Sequence, residues 1–168
     1  MDLTTVVIAC LAVAGVVAVL RLLGGGTRPL DLRDPADQLT AVKRAAFEPR
    51  AIMNRSEFKR FTWIDEWARG RPYRLFTQVS YGEVIRSADR DAHASINSKR
   101  ADFVLVDEAG IPACVIEYQG TGHHRGNAAA RDEVKRAALA KAGVPLVELY
   151  PKQDRAAVVT AVEDALAS

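Results

Sequence analysis

The fold is decided by the run Ala101-Asp-Phe-Val-Leu-Val-Asp-Glu-Ala-Gly-Ile-Pro-Ala-Cys-Val-Ile-Glu-Tyr-Gln119. Two segments rich in β-branched and aromatic residues flank a turn-forming centre at residues 107–110, and this pattern predicts a β-hairpin. Closing the hairpin around that turn sets Asp102 opposite residues 115–117, so Asp102 meets Glu117 directly or on a diagonal. The run therefore predicts an antiparallel pair of strands that carries two neighbouring carboxylates.

Helix and strand patterns on both sides of the hairpin complete an α/β domain with a mixed central sheet flanked by helices. Capping residues, apolar spacing and glycine stops define its elements. Before the hairpin, the predicted elements are a helix from Asp34 to about Phe47, a helix that begins with the capping box Asn54-Arg-Ser-Glu57 and ends at Gly70, a strand at 75–80 and an irregular segment at 87–98. After the hairpin, they are a helix from Asn127 to just before Gly143, a strand at 146–149 and an amphipathic helix at 158–166.

The composition is that of a folded protein with one domain outside an apolar N-terminus. The chain has 168 residues, of which 49% are hydrophobic and 26% charged, and its formal net charge is +2. These values exclude a disordered chain and a multi-span transporter. The two cysteines fit neither a metal-clip spacing nor a disulfide framework.

An uncharged apolar run of 18 residues, at 3–20, predicts one N-terminal transmembrane helix, because such a run just covers the hydrocarbon core of a bilayer. A signal peptide is the first alternative, but the run is preceded by Asp2 rather than by positive charge and leads into Arg21. The second alternative is a buried core helix, although 18 uninterrupted apolar residues exceed what a domain this small usually buries in one helix.

Arginines follow the apolar run and none precedes it, so the positive-inside rule predicts an external N-terminus and a cytoplasmic C-terminal domain. We expect residues 3–23 to anchor the protein in the cytoplasmic membrane. Residues 1–26 then form the anchor and its flexible hinge, Gly24-Gly-Gly26. Residues 27–49 form a juxtamembrane helix and linker, and residues 50–168 form the α/β domain.

The two carboxylates of the hairpin, Asp102 and Glu117, indicate a cation site. Two negative charges on adjacent strands repel each other in otherwise apolar sequence, and a divalent cation removes that repulsion. Mg²⁺ is commonly held by one or two carboxylates together with water and phosphate oxygens, and it can activate water against a phosphodiester. The alternative is that both side chains only lie at solvated ends of their strands.

The pattern Asp102…Glu117-Tyr-Gln119 resembles the metal-binding signature of the restriction-endonuclease-like superfamily, the PD-(D/E)xK nucleases. The wider sequence resembles the bacterial family called domain of unknown function 2726 and the very-short-patch repair endonucleases, over roughly residues 50–150. This wider resemblance is carried by Val115-Ile-Glu-Tyr-Gln-Gly-Thr-Gly-His-His124, Arg131-Asp-Glu-Val-Lys135 and Ala142-Gly-Val-Pro-Leu-Val-Glu-Leu149. It implies a restriction-endonuclease-like sheet, Mg²⁺ as cofactor, nucleic acid as partner, and Asp102 and Glu117 as metal ligands.

One position departs from the superfamily pattern, because Gln119 stands where a lysine usually orients or activates water. Lys99 and Lys135 are the candidate substitutes for that lysine. The resemblance also implies a histidine just after the acidic strand, where it can move a proton or contact phosphate. His123 and His124 both fit that place, with His123 slightly favoured, and an ordinary loop histidine is the alternative.

Two further residues have competing interpretations. By resemblance, Glu57 matches an acidic residue that supplements the metal site in the superfamily, and it is equally a plain capping-box glutamate. Both roles are compatible. His93 lies in the segment predicted to be irregular and shows no partner in the sequence, so we expect it at the surface.

A locally basic segment, residues 43–74, is the feature that points to nucleic acid. It holds nine basic and four acidic residues, and its excess positive charge suits phosphate contact. The basic residues can equally face anionic lipid headgroups beside the anchor. Four aromatic residues are interleaved at helical spacing, which is more typical of a core than of base stacking: Phe58, Phe61, Trp63 and Trp67.

Three functional hypotheses follow from these expectations. The leading hypothesis is a membrane-anchored nuclease-like protein that hydrolyses phosphodiesters of nucleic acid with Mg²⁺. In this hypothesis Asp102 and Glu117 bind the metal, and Glu57 supplements the metal site. Gln119, His123 and Lys135 assist catalysis. The alternative is a catalytically inactive nuclease-fold module that binds nucleic acid or a protein partner at the membrane. A structural membrane protein whose acidic pair only caps strand ends is a third, weaker hypothesis.

Overall fold

The computed structural model describes residues 29–120 and 128–167. The predicted anchor at 3–23 and the glycine hinge lie outside these residues, and so does the loop at 121–127. Within the described ranges, no helix is long and apolar enough to cross a membrane. The transmembrane segment and the topology that depends on it therefore stay predictions.

The chain divides into two units between Pro49 and Arg50. The described residues of the first unit form one helix, α1 (Pro35–Arg44), which begins as predicted because the Asp34 side chain caps it and a proline occupies its first position. The helix ends somewhat earlier than predicted, since the backbone of Ala45 is extended. All residues of α1 are exposed or half-buried.

The second unit is a mixed sheet with helices, which confirms the predicted α/β class. The sheet has the order β1-β2-β3-β4, with antiparallel pairing except between β3 and β4, which are parallel and joined through α5. The elements are α2 (Arg55–Ala68), β1 (Arg74–Ser80), α3 (Tyr81–Val84), α4 (Arg90–Asn97), β2 (Arg100–Val106), β3 (Pro112–Tyr118), α5 (Ala128–Ala142), β4 (Leu146–Leu149) and α6 (Arg155–Leu166).

Strands β2 and β3 form the predicted hairpin. Phe103 pairs with Ile116, and the antiparallel register runs to Leu105 and Cys114 before it shifts by one residue at Val106, which pairs with Pro112. Gly110 takes a φ of +79°, which a residue without Cβ adopts readily. The Asp107 carboxylate accepts hydrogen bonds from two backbone N–H groups of the turn, at 2.9 and 2.8 Å. Local turn chemistry therefore sets the register on which the rest of the sheet depends.

The two faces of the sheet carry separate core clusters. The first core cluster lies against α2 and α6 and includes Ile64, Trp67, Phe103, Ile116, Val158 and Val162. The second core cluster lies against α3, α4 and α5 and includes Tyr81, Ile96, Val104, Val115 and Leu139. Trp67 is buried in the first cluster, and Phe61 and Trp63 pack against it, so these aromatic residues of α2 serve the core. Phe58 is 56% exposed.

The segment 87–98 was expected to be irregular, and that prediction is wrong. It contains α4, whose N-cap Asp89 accepts hydrogen bonds from the backbone N–H groups of Asp91 and Ala92. The helix has only eight residues and buries only Ile96, so its apolar periodicity is too weak to detect in the sequence. His93 lies on this helix and is half-buried rather than at the surface, with no recorded hydrogen-bond partner for its buried Nδ1 in the described part of the chain.

Candidate functional site

Four polar residues, one on each strand, occupy neighbouring positions across the sheet, and we call them the polar row. They are Gln78 on β1, Asp102 on β2, Glu117 on β3 and Glu148 on β4. Glu117 pairs directly with Glu148 in the parallel register. The β2–β3 ladder ends at Phe103 and Ile116, and extending it by one residue sets Asp102 beside Glu117. The β1–β2 register sets Gln78 opposite Asp102. The sheet thus brings the two predicted carboxylates to neighbouring positions.

Glu117 is buried, with 7% of its surface exposed, and both of its carboxylate oxygens have donors. The Tyr81 hydroxyl donates to Oε1 at 2.7 Å, and the Lys135 ammonium donates to Oε2 at 2.9 Å. Burial raises the pKa of Glu117 above its ordinary value, although Lys135 and Tyr81 act to lower it. The nearby charge of Asp102 raises it further. Glu117 is therefore a desolvated acid held by one cation and one phenol.

Lys135 reaches Glu117 from α5, the helix that covers the second core cluster. Its side chain is only 17% exposed, and its ammonium lies 5.5 Å from the centroid of the Tyr81 ring. Tyr81 itself is fully buried, and burial together with the charge of Glu117 raises its pKa. The phenol therefore stays protonated at neutral pH and remains a hydrogen-bond donor. Of the two lysines proposed to substitute for Gln119, Lys135 is the one recorded in contact with the acidic pair.

Asp102 lies on β2 and is half-buried, and its two carboxylate oxygens face groups of the two neighbouring strands, β1 and β3. Oδ2 accepts a hydrogen bond from the backbone N–H of Tyr118 at 2.8 Å, and Oδ1 lies 3.5 Å from Nε2 of Gln78. The charges of Asp102 and of Asp132 on α5 both act to raise the pKa of Tyr81. Negative charge therefore surrounds the phenol from β2, β3 and α5.

Gln119 lies on the β4 side of the site. Its amide donates to Glu148 Oε1 at 3.0 Å, and Arg136 donates to the same oxygen at 2.6 Å. This contact raises the pKa of the Arg136 guanidinium. The amide of Gln119 is thus committed to a neighbouring carboxylate in the position where the superfamily pattern has a lysine.

The other predicted residues have different surroundings. His123 and His124 lie outside the described residues. Both carboxylate oxygens of Glu57 accept hydrogen bonds from Asn54, which completes the predicted capping box, and α2 packs on the face of the sheet that carries the first core cluster. Lys99 precedes β2, and its carbonyl oxygen accepts a hydrogen bond from the backbone N–H of Tyr81.

Sequence reasoning missed four residues of the site, which are Gln78, Tyr81, Arg136 and Glu148. Glu148 had a usable signal, because it is the one charged residue in the short apolar run of β4. Arg136 follows Lys135 directly and gave no separate signal. Gln78 and Tyr81 act through the way β1 meets β2, which depends on tertiary pairing rather than on local pattern.

The carboxylate oxygens of Asp102 and Glu117 are the type of ligand atom that a small hard cation prefers. Each carboxylate has about four lone-pair sites, so lone pairs remain after the observed hydrogen bonds. Mg²⁺ is usually bound by one or two carboxylates, with water and substrate oxygens completing its coordination. In residues 29–120 and 128–167, no group of three or more His, Cys, Asp and Glu side chains is arranged to hold a metal ion. A cation here would therefore rely on two protein carboxylates.

These features define an α/β protein with an acidic pair, a lysine and a buried tyrosine at one end of a mixed sheet. The chain belongs to the family described as protein of unknown function (DUF2726), whose model matches residues 49–166. That match confirms the predicted family. No solved structure matches the chain significantly.

Two curated proteins are similar to the chain. An uncharacterised protein of Haemophilus influenzae is 47% identical over 122 residues, which cover 71% of this chain and 64% of that protein. An uncharacterised protein of Sinorhizobium fredii is 42% identical over 111 residues, which cover 65% of this chain and 80% of that protein. The match thus spans less than two thirds of the Haemophilus protein.

Proposed function

We propose that this protein is a restriction-endonuclease-like phosphodiesterase that hydrolyses nucleic acid with Mg²⁺. The observation that carries the proposal is the contact of Lys135 with Glu117, next in register to Asp102. Two carboxylates and one lysine from three separate elements reproduce the chemical groups of the superfamily signature, although the lysine comes from α5 rather than from position 119. Burying such a charged set costs desolvation free energy, and perturbed ionisable groups of this kind cluster at functional sites.

In this proposal Asp102 and Glu117 would hold Mg²⁺, which when bound supplies the charge that polarises a phosphodiester and activates water. The Tyr81 hydroxyl donates to one oxygen of Glu117 and so fixes the orientation of the Glu117 carboxylate. When the Lys135 ammonium moves away from Glu117, it can donate a hydrogen bond to a phosphate oxygen or to the leaving oxygen. Gln119 and Glu148 shape the β4 side of the site, and His123 is proposed to assist from the adjoining loop.

The setting of this activity is also a proposal. The apolar run at 3–20 and the arginines that follow it support an anchor in the cytoplasmic membrane with the α/β domain inside. The basic excess in residues 43–74 supports contact with phosphate groups of nucleic acid. On this view the anchor determines where the domain acts, and the polar row determines its chemistry.

The test uses the full chain purified in detergent micelles. Calorimetric titration with Mg²⁺ and Mn²⁺ is combined with cleavage of labelled single-stranded and double-stranded DNA and RNA. We expect cation binding and cleavage by the wild-type protein, loss of both in Asp102→Ala, and retention in Glu108→Gln, which changes an exposed acid at the turn of the same hairpin. A wild-type protein that neither binds a divalent cation nor cleaves any of these substrates would contradict the proposal.

A second candidate function is the inactive module that binds nucleic acid or a protein partner. Two observations favour it: both oxygens of Glu117 already have donors, and Gln119 is held by Glu148. This candidate predicts nucleic-acid binding that weakens with salt, needs no Mg²⁺ and survives Asp102→Ala. Filter binding at several salt concentrations with EDTA separates it from the enzyme.

A further inference from the structure

Gln78 has a backbone conformation that residues other than glycine rarely adopt. Its φ is +54°, and in the described part of the chain it is the one non-glycine residue with positive φ. The left-handed region is unfavourable for a residue with a Cβ, so such outliers persist only where the surrounding structure holds them. Gln78 lies inside β1, an edge strand of the sheet, at the register position opposite Asp102.

The core contacts of β1 change from one cluster to the other around Gln78. Leu75 packs against the first core cluster, whereas Val79, four residues later, packs against the second. Alternation along a regular strand would put both on one face. The register is the same on both sides of Gln78, so no residue has been inserted. Strand β2 changes cluster at the same register position, between Phe103 and Ala101. Tyr81, two residues beyond Val79, lies in the second cluster and reaches Glu117.

The side chain of Gln78 completes the surroundings of Asp102. Its Nε2 faces Oδ1, while the backbone N–H of Tyr118 holds Oδ2 from the other side. Oδ2 thus has a donor at 2.8 Å, Oδ1 has the amide at 3.5 Å, at the outer limit of hydrogen bonding, and lone pairs remain for a cation. Gln78 thus contacts the first acid through its side chain and lies three residues before Tyr81, which donates to the second acid.

We infer that Gln78 is a positioning residue, which orients Asp102 for a divalent cation through its amide and is held in its left-handed backbone conformation for that contact. The inference rests on the proposed function, because it assigns the residue a role toward the same cation site. A purely structural role would need only the left-handed backbone, and glycine adopts that conformation better than glutamine does.

The test compares Gln78→Gly with Gln78→Ala in the full chain. Glycine keeps the backbone and removes the amide, whereas alanine removes the amide and keeps the unfavourable φ. We expect both variants to bind Mn²⁺ about ten-fold more weakly in calorimetry, the lower end of what loss of an outer partner typically does. The glycine variant should unfold at a higher temperature than the alanine variant. Thr77→Ala, one residue earlier on β1, serves as the control and should bind like wild type.

Wild-type affinity in Gln78→Gly would overturn the inference, since the amide would then have no role. A wild-type protein that binds no divalent cation would overturn the proposed function instead. In that case a double-mutant cycle of Gln78→Ala and Asp102→Asn, measured by metal-free unfolding, decides whether the two residues are coupled. Coupled losses of stability support the orienting contact, and additive losses overturn it.

Discussion

The two faces of the central sheet are built from the same strands but carry different side chains near the end of β3. On the face of the first core cluster, Phe103 of β2 and Ile116 and Tyr118 of β3 are all buried and apolar toward α2 and α6. On the other face, Val115 is followed two residues later by Glu117, which is buried with Lys135 and Tyr81. The buried charge on the first face is Arg60 of α2, whose guanidinium lies over the Tyr118 ring and donates to the backbone carbonyls of Tyr150 and Pro151. The second face instead buries a carboxylate and an ammonium side by side, and perturbed ionisable groups of this kind cluster at functional sites.

The largest expected effect belongs to the first face. Phe103→Ala removes a fully buried ring from the first core cluster, and we expect a loss of about 4 kcal/mol in the free energy of unfolding. Urea unfolding of the full chain in detergent measures it. Ile111→Ala, in the same hairpin but at a side chain that is 60% exposed, is the control and should change stability little. Equal losses in the two variants would contradict the assignment of the core.

A somewhat smaller loss is expected on the second face when its charged pair is broken. Lys135→Met leaves the buried carboxylate of Glu117 without its cation, and breaking such a pair costs about 3 kcal/mol. The double variant Lys135→Met, Glu117→Gln should recover much of that loss, because no buried charge is left unpaired. Lys141→Met, at an exposed position of the same helix, is the control. A double variant no more stable than Lys135→Met would show that the charge of Glu117 is not the cause.

The difference between the faces also shows how far the sequence leads. The hairpin follows from turn residues and alternation, which are local, so the neighbouring positions of Asp102 and Glu117 could be expected from spacing alone. The choice of Lys135 over Lys99 could not, because it depends on how α5 packs across the sheet. Gln78 was out of reach for a different reason, since strand propensity assigns it an ordinary extended backbone.

The pH dependence of stability separates the two effects that act on Glu117. Because burial raises its pKa in the folded protein, the folded state binds more protons than the unfolded state between the ordinary and the raised pKa. The stability contributed by Glu117 is therefore greatest below the ordinary glutamate pKa and falls as the pH rises through the folded pKa. We expect the stability of wild type relative to Glu117→Gln to fall from acid toward neutral pH, measured by unfolding in EDTA. A relative stability that rises with pH would show that attraction by Lys135 outweighs burial.

The smallest expected effect lies one residue beyond Lys135 and sharpens the contrast between buried and exposed pairs. Arg136 donates to Glu148 at 2.6 Å, yet its side chain is 44% exposed, so water screens the pair and replaces it when it breaks. We expect Arg136→Ala to lower the free energy of unfolding by about 0.5 kcal/mol, well below the loss in Lys135→Met. Raising the salt concentration should shrink the Arg136 effect further and leave the Lys135 effect nearly unchanged, because salt screens exposed charges far more than buried ones. If the two adjacent residues instead show equal losses and equal salt dependence, burial does not distinguish them, and the second face is only a polar edge of the sheet.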